Sequence, residues 1–300
     1  MVKIGAMSIC LQPLLAGEVP TGERLLRAAA EVGVDGVEFY ETHWGADPRD
    51  VDGAAALKKL AAELGVEIFA VGSGTRLGYG DARREQAMAT LKNQVRAAAA
   101  VGAEVVTFPA IDSQPVPEGR AAEAGGLHFA QAVGPLIEQV QELAEFAAGY
   151  NVRLALLNHC FFVGASWHQE WVVKLADRPE VGTCLDPGNY LYYECEDPVS
   201  ATRRLAGTVC NVRLGDWVRR GDREVIEAFR SEGQLAIWAP AVFGEGAVDH
   251  GACLQVLRES GYEGYLTMKS VGGDFHRSLE GVRALVEAAS NVWIATEKEA

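Results

Sequence analysis

The sequence predicts an α/β fold, a single (β/α)8 TIM barrel over residues 1–300 as one domain. Short β-rich runs alternate with longer Ala/Leu/Glu/Arg runs, the rhythm of strand and helix units that close into a parallel sheet. A chain of 300 residues with 49% hydrophobic content is long enough to bury one large core. No internal repeat or low-complexity linker marks a domain boundary.

In chain order, Lys3-Ile4-Gly5-Ala6-Met7-Ser8 forms the first expected strand, 3–8, and a helix follows at 21–32. Gly33 ends that helix, because glycine just past a helix adopts the left-handed cap conformation at little cost. The second strand, 35–40, leads to a helix at 50–64, which Gly65 stops before the third strand, 66–72. A helix at 81–101, stopped by Gly102, precedes the fourth strand, 104–109. Helices at 127–149, 167–177, 197–206, 249–260 and 277–290 then alternate with strands at 152–159, 181–186, 208–214 and 264–269. Two connections, 110–126 and 215–248, are long and follow the C-terminal ends of strands, the face where barrels of this type build their sites. For 110–126 an oligomer contact is the alternative reading.

The net charge of −14 and the lack of a Lys/Arg run argue against nucleic-acid binding, which needs a clustered basic face. Six cysteines without close pairing read as reduced thiols of a cytosolic, cytoplasmic protein. Met1-Val2-Lys3-Ile4-Gly5 leads straight into a strand pattern and no run of about 18 apolar residues occurs, so neither export nor a membrane span is expected. Gly72-Ser73-Gly74-Thr75-Arg76-Leu77-Gly78 lacks the Gly-Lys-Ser/Thr ending of a phosphate loop and reads as the loop after the third strand. Neither a Gly-x-Ser-x-Gly elbow nor a His-Glu-x-x-His helix is present.

Four strings carry the chemistry: Leu154-Ala155-Leu156-Leu157-Asn158-His159, Cys184-Leu185-Asp186-Pro187-Gly188-Asn189, Asn211-Val212-Arg213-Leu214-Gly215-Asp216 and Leu266-Thr267-Met268-Lys269-Ser270. In order and spacing they resemble the last four strand ends of the xylose-isomerase-like TIM barrels, a family of sugar and sugar-phosphate isomerases and epimerases. The resemblance implies Glu, Asp, His and Glu ligands around one divalent metal, and only Asp186 matches. Leu157 has no lone pair to offer, while Arg213 and Lys269 bring positive charge to a place where a cation would sit. Asp186, Arg213 and Lys269 alone sum to about +1, so no metal and no other cofactor is expected, and the pocket should favour an anion. The metal-dependent DNA-repair endonucleases share this barrel type, but their His-rich metal cluster is missing here.

Strand alternation sets Cys184 with Asp186, Asn211 with Arg213, Thr267 with Lys269, and Ala155 with Leu157 and His159. Lys269 either pairs structurally with Asp186, or polarises a carbonyl or binds an anion, or forms a Schiff base; Asp186 disfavours the last. Arg213 offers a bidentate fork for an anion, or else bridges to Asp186 or Asp216. His159 is a candidate acid or base and Asn158 a substrate contact, in line with the family string they resemble. Glu38, which resembles the family's second-strand glutamate, is a proton-transfer base or an anchor for a neighbouring strand. Asn211, His43, Trp44 and Glu245 complete the candidate substrate contacts. Glu245 lies in Phe243-Gly244-Glu245-Gly246, a string similar to the family's Gly-Glu-Gly turn and expected to reach the pocket mouth, with Asp249 as a helix cap. Trp167, His168, Trp171, Trp217 and Trp238 lie in or beside top-face loops; some are packing residues, and a ring-lined pocket suits a polyol or cyclic ligand.

The leading expectation is a metal-independent isomerase, epimerase or dehydratase for a small oxygenated carbonyl substrate, anionic in one version, with Lys269 and Arg213 replacing the metal electrostatically. The alternative is a non-catalytic binding or partner subunit built around Asp186 ion pairs. Either reading leaves room for a homo-oligomer.

Overall fold

The computed structural model describes residues 2–41, 43, 51–111, 129–159, 161–232, 237–269 and 274–297. Eight parallel strands close into a barrel: β1 (Lys3–Met7), β2 (Gly36–Tyr40), β3 (Glu67–Gly72), β4 (Val105–Pro109), β5 (Arg153–Leu157), β6 (Val181–Leu185), β7 (Val209–Leu214) and β10 (Tyr265–Met268). They neighbour one another in that order, and β10 returns to β1. Each lies within two residues of its expected place. The surrounding helices are α2 (Gly22–Val32), α3 (Val51–Leu64), α4 (Arg83–Val101), α5 (Phe129–Ala148), α6 (Ser166–Ala176), α8 (Pro198–Leu205), α10 (His250–Glu259) and α11 (Phe275–Glu297). In α2, Thr21 caps the first turn through Arg24 N at 3.3 Å, and Leu25, Leu26 and Ala29 turn inward to the core. Gly33, Gly65 and Gly102 take the expected left-handed conformation at the helix ends, with φ of 70°, 68° and 86°.

The connection 215–248 is more ordered than its sequence suggests. It contains β8 (Asp216–Arg219), α9 (Asp222–Glu232) and β9 (Trp238–Ala241), and the two strands pair antiparallel from Asp216 with Ala241 to Arg219 with Trp238. Each strand is four residues long, too short for its alternation to stand out locally. Two short helices, α1 (Ser8–Leu11) and α7 (Pro187–Glu194), also sit directly after β1 and β6.

The barrel interior is packed in layers. Toward the N-terminal ends of the strands, Phe69 and Tyr265 stack with ring centroids 3.9 Å apart. Gly5 and Gly36 make room for them, since a Cβ on either would come within 2.7 Å of a ring carbon. Ala70, Val105, Ala155, Leu157 and Cys184 fill the space above, and polar side chains take over at the C-terminal ends. No helix among the described residues is long and apolar enough to cross a membrane.

Candidate active site

Two buried ion pairs occupy the top of the barrel. Strand β2 delivers Glu38 and β7 delivers Arg213, whose Nε and Nη2 donate to Glu38 Oε2 and Oε1 at 3.0 and 2.5 Å; the side chains are 0% and 5% exposed. Thr107 on β4 donates to Glu38 Oε1 at 2.9 Å and accepts from Arg213 Nη2 at 2.7 Å, while Asn211 Nδ2 donates to Glu38 Oε2 at 3.3 Å. Burial works against the charged guanidinium, but Glu38 more than offsets it and holds the Arg213 pKa above its ordinary value. Arg213 therefore bridges to neither Asp186 nor Asp216, the partners the sequence suggested. The excess positive charge expected from Asp186, Arg213 and Lys269 taken alone is cancelled by Glu38.

Gly72 permits this arrangement, because a Cβ there would lie 2.9 Å from Arg213 Nη2 and 3.1 Å from Glu38 Oε1. Gly72→Ala is expected to cost about 1–3 kcal/mol through overpacking, read as a lower urea midpoint. An unchanged midpoint would place the guanidinium elsewhere.

The second pair joins Lys269, at the end of β10, to Asp186, at the end of β6. Lys269 Nζ donates to Asp186 Oδ2 at 2.6 Å and to Asn189 Oδ1, in the first turn of α7, at 2.9 Å. Asn189 Nδ2 donates to the Asn158 carbonyl and Asn158 Nδ2 to the Asp186 carbonyl, both at 2.9 Å. Asp186 is fully buried, whereas the Lys269 side chain keeps 12% exposure. An ammonium has three N–H donors, and the third has no partner among the described residues. Asp186 Oδ1, Asn158 Oδ1 and Thr267 Oγ1 are likewise buried without a hydrogen-bond partner among the described residues.

His159 follows Asn158 in the loop after β5. Burial first, then the charges of Lys269, Arg213 and Arg76, lower its pKa from 6.5 to about 3. Tyr40, at the end of β2, also feels Arg213 and Arg76, but burial and then the Glu41 charge outweigh them and raise its pKa. Tyr193 meets His159 edge-on at 5.7 Å, and Tyr192 stacks on Trp217 at 4.4 Å, giving the site an aromatic flank. Glu41 organises the loop that carries Arg76: its carboxylate accepts from Gly74 N at 2.9 Å, from Ser73 Oγ at 3.0 Å and from Gln94 Nε2.

Two largely desolvated neutral histidines, His159 half-buried and His168 buried, make stability depend on pH. His168, stacked on Phe129, is lowered by burial from 6.5 to about 4. Folded His159 and His168 stay neutral while the unfolded chain protonates them below 6.5, so their contribution is intact above that pH and is lost as pH falls toward 4. Each ring accounts for at most about 2 kcal/mol of loss at pH 5, less where solvent reaches the ring. Urea unfolding at pH 7 and pH 5 should show the double variant His159→Gln, His168→Gln losing less than the wild type. Equal losses would contradict the neutral rings.

The other candidates take separate places. His43 lies 3.2 Å from Ser8 Oγ through Nδ1. Glu245 does not join either pair; it pairs with Arg277 on the surface, with exposures of 52% and 56%. The turn around it is held by Asp216, which accepts from Gly244 N and Gly246 N at 3.0 Å, and Asp249 caps α10 as expected. Trp238 lies on β9, and Trp44 falls outside the described residues. Thr107, Asn189, Gly72, Tyr40 and Arg76 were not singled out from sequence. Thr107 had a local signal, as a polar residue inside Val105-Val106-Thr107-Phe108. At the opposite end of the barrel a cleft of about 510 Å³ is rimmed by exposed Lys3, Lys58, Glu67 and Glu104, without a buried charge among its lining residues.

The donors do not fit a divalent cation. Asp186 Oδ2 is taken by an ammonium, Arg213 is bound to Glu38, and Leu157 packs among apolar side chains. Among the described residues, no three His, Cys, Asp or Glu side chains are grouped to hold a metal.

Solved structures with this architecture include the probable 3-DHS dehydratase AsbF from Bacillus anthracis, at 12% identity over 95% of this chain and 99% of that one, TM-score 0.70. A xylose isomerase-like TIM barrel protein from Mycobacterium smegmatis in complex with magnesium matches at 17% identity over 96% of each chain, TM-score 0.68. D-allulose 3-epimerase from Methylomonas sp. in complex with D-allulose matches at 17% identity over 90% of this chain and 84% of that one, TM-score 0.62. Identities this low show a shared fold. No curated protein matches the sequence significantly. The family profile described as xylose isomerase-like TIM barrel matches residues 26–294, nearly the whole barrel. The chain belongs to the xylose isomerase-like TIM barrel family.

Proposed function

We propose that this chain is a metal-independent isomerase, epimerase or dehydratase acting on a small oxygenated carbonyl substrate. One observation carries the reading: the Lys269 ammonium is fixed by Asp186 and Asn189, keeps part of its surface open, and retains one N–H without a partner among the described residues. That N–H donates to the substrate carbonyl oxygen and stabilises the enolate oxygen that forms when the neighbouring carbon loses a proton. His159, a weak base at a pKa of about 3, takes that proton as a neutral imidazole only as negative charge builds on the oxygen beside Lys269. Protonation of the same carbon on its other face, by a second donor such as water, epimerises; delivery of the abstracted proton to the former carbonyl carbon, with a proton shift between the oxygens, isomerises; departure of a β-hydroxyl as water, carrying the imidazolium proton, dehydrates. Glu38 and Glu245 are poorer bases, because each is committed to an arginine.

Arg213 contributes by fixing Glu38 and by its charge at His159 rather than by gripping substrate. The open acceptors Asp186 Oδ1 and Asn158 Oδ1 suit substrate hydroxyls or water. An epimerase and a probable dehydratase on the same fold support the reaction class. We place the protein in the cytoplasm, with the substrate's anionic group optional.

Screening keto sugars, inositols and dehydroshikimate-like acids after exhaustive chelation tests the proposal. Turnover should survive chelation without bound metal; turnover that vanishes and returns with manganese or magnesium overturns metal independence. The competing reading, a catalytically silent subunit, draws on the fully closed Glu38–Arg213 pair. Lack of turnover across the screen favours it.

A further inference from the structure

One polar contact at the same end of the barrel lies outside both ion pairs. Ser8, the first residue after β1, is fully buried, and its hydroxyl meets two groups. It accepts the Tyr40 backbone N–H at 2.8 Å and lies 3.2 Å from His43 Nδ1. An amide N–H only donates, so a lone pair of Ser8 Oγ is spent on Tyr40 and the hydroxyl proton needs an acceptor. Among the described residues His43 Nδ1 is the one within reach. The reverse arrangement, with Nδ1–H donating to the hydroxyl, would leave a buried O–H unsatisfied. Burial lowers the His43 pKa, which favours a neutral ring. A neutral ring whose Nδ1 accepts carries its proton on Nε2, and that nitrogen has no hydrogen bond among the described residues.

We propose that Ser8 is a positioning residue that locks His43 in the Nε2–H tautomer, so that His43 offers a fixed donor to an accepting substrate oxygen of carbonyl, carboxylate or phosphate type. The tautomer stands on the Ser8 geometry alone; the role toward substrate rests on the function proposed above. Tyr40 links the two, since its amide holds Ser8 and its ring lies 6.1 Å from that of His43. The loop after β2 thereby presents a donor of defined polarity, whereas the opposite tautomer would present an acceptor and select a hydroxyl proton instead.

Nitrogen NMR of the full chain with isotope-labelled histidine reads the tautomer directly at neutral pH, with His43→Gln assigning the signal among the six histidines. Wild type should show a protonated Nε2 and a bare Nδ1. Ser8→Thr should keep that pattern, and Ser8→Ala should mix or reverse it. A protonated Nδ1 in wild type, or an unchanged pattern in folded Ser8→Ala, overturns the proposal; if Ser8→Ala does not fold, the wild-type spectrum decides. With a substrate from the screen, Ser8→Ala should raise KM about tenfold while Ser8→Thr does not, and an unchanged KM overturns the donor role. A locked Nε2–H ring in a chain without turnover refutes the proposed reaction and leaves the Ser8–His43 device standing. Turnover with an Nδ1–H ring does the opposite.

Discussion

Arg213→Met should lower the unfolding free energy by about 3–5 kcal/mol, among the largest losses expected from one substitution in this chain. The cost is not the value of the pair itself. It arises because Glu38, fully buried, loses both guanidinium bonds and keeps, among the described residues, Thr107 and Asn211 as neutral donors. The carboxylate must then remain charged in a poor solvent or take up a proton. The double variant Glu38→Leu, Arg213→Met removes both charges and should recover most of the loss, since a well-packed apolar pair often matches a buried ion pair. Urea titrations of the two single variants and the double variant measure the coupling. Additive losses would show that the pair contributes nothing beyond its separate side chains.

Lys269→Met should produce a loss of similar size, about 3–5 kcal/mol, and should also reduce turnover by about 10²–10³-fold. Asp186 loses its counter-charge and Asn189 Oδ1 loses its donor, which accounts for stability. Loss of the N–H aimed at the developing oxyanion accounts for rate. Adding Asp186→Asn separates the two effects: the double variant should regain stability, because no buried charge is stranded, yet remain inactive. Full activity in a refolded double variant would remove Lys269 from the reaction. A silent subunit would show the stability pattern and nothing else, so these variants also discriminate between the two functional readings.

Much of the barrel was legible in the chain, because its signals are local. Alternating runs, helix-stop glycines such as Gly33 and Gly102, and caps such as Asp249 each depend on a few neighbouring residues. The strings containing Asp186, Arg213 and Lys269 were also visible, and Asn211 and Arg213, which alternation sets on one face, both reach Glu38. Connection 215–248 was harder to read. Its hairpin becomes evident only when Asp216 finds Ala241, across a helix and a loop.

The fold class can be read from the chain alone, as can Leu157, Arg213 and Lys269 at the three strand ends where the resemblance implies metal ligands. Which charges neutralise each other depends on the closed barrel. Glu38 and Arg213 lie 175 positions apart, and barrel closure, together with the space above Gly72, brings them within hydrogen-bond distance. Closure likewise joins Lys269 to Asp186, while Glu245 is left to Arg277 at the surface. The physical reason is the short range of these interactions: local pattern sets which face a side chain takes, but a buried charge is paired by whichever strand the closed sheet places opposite it.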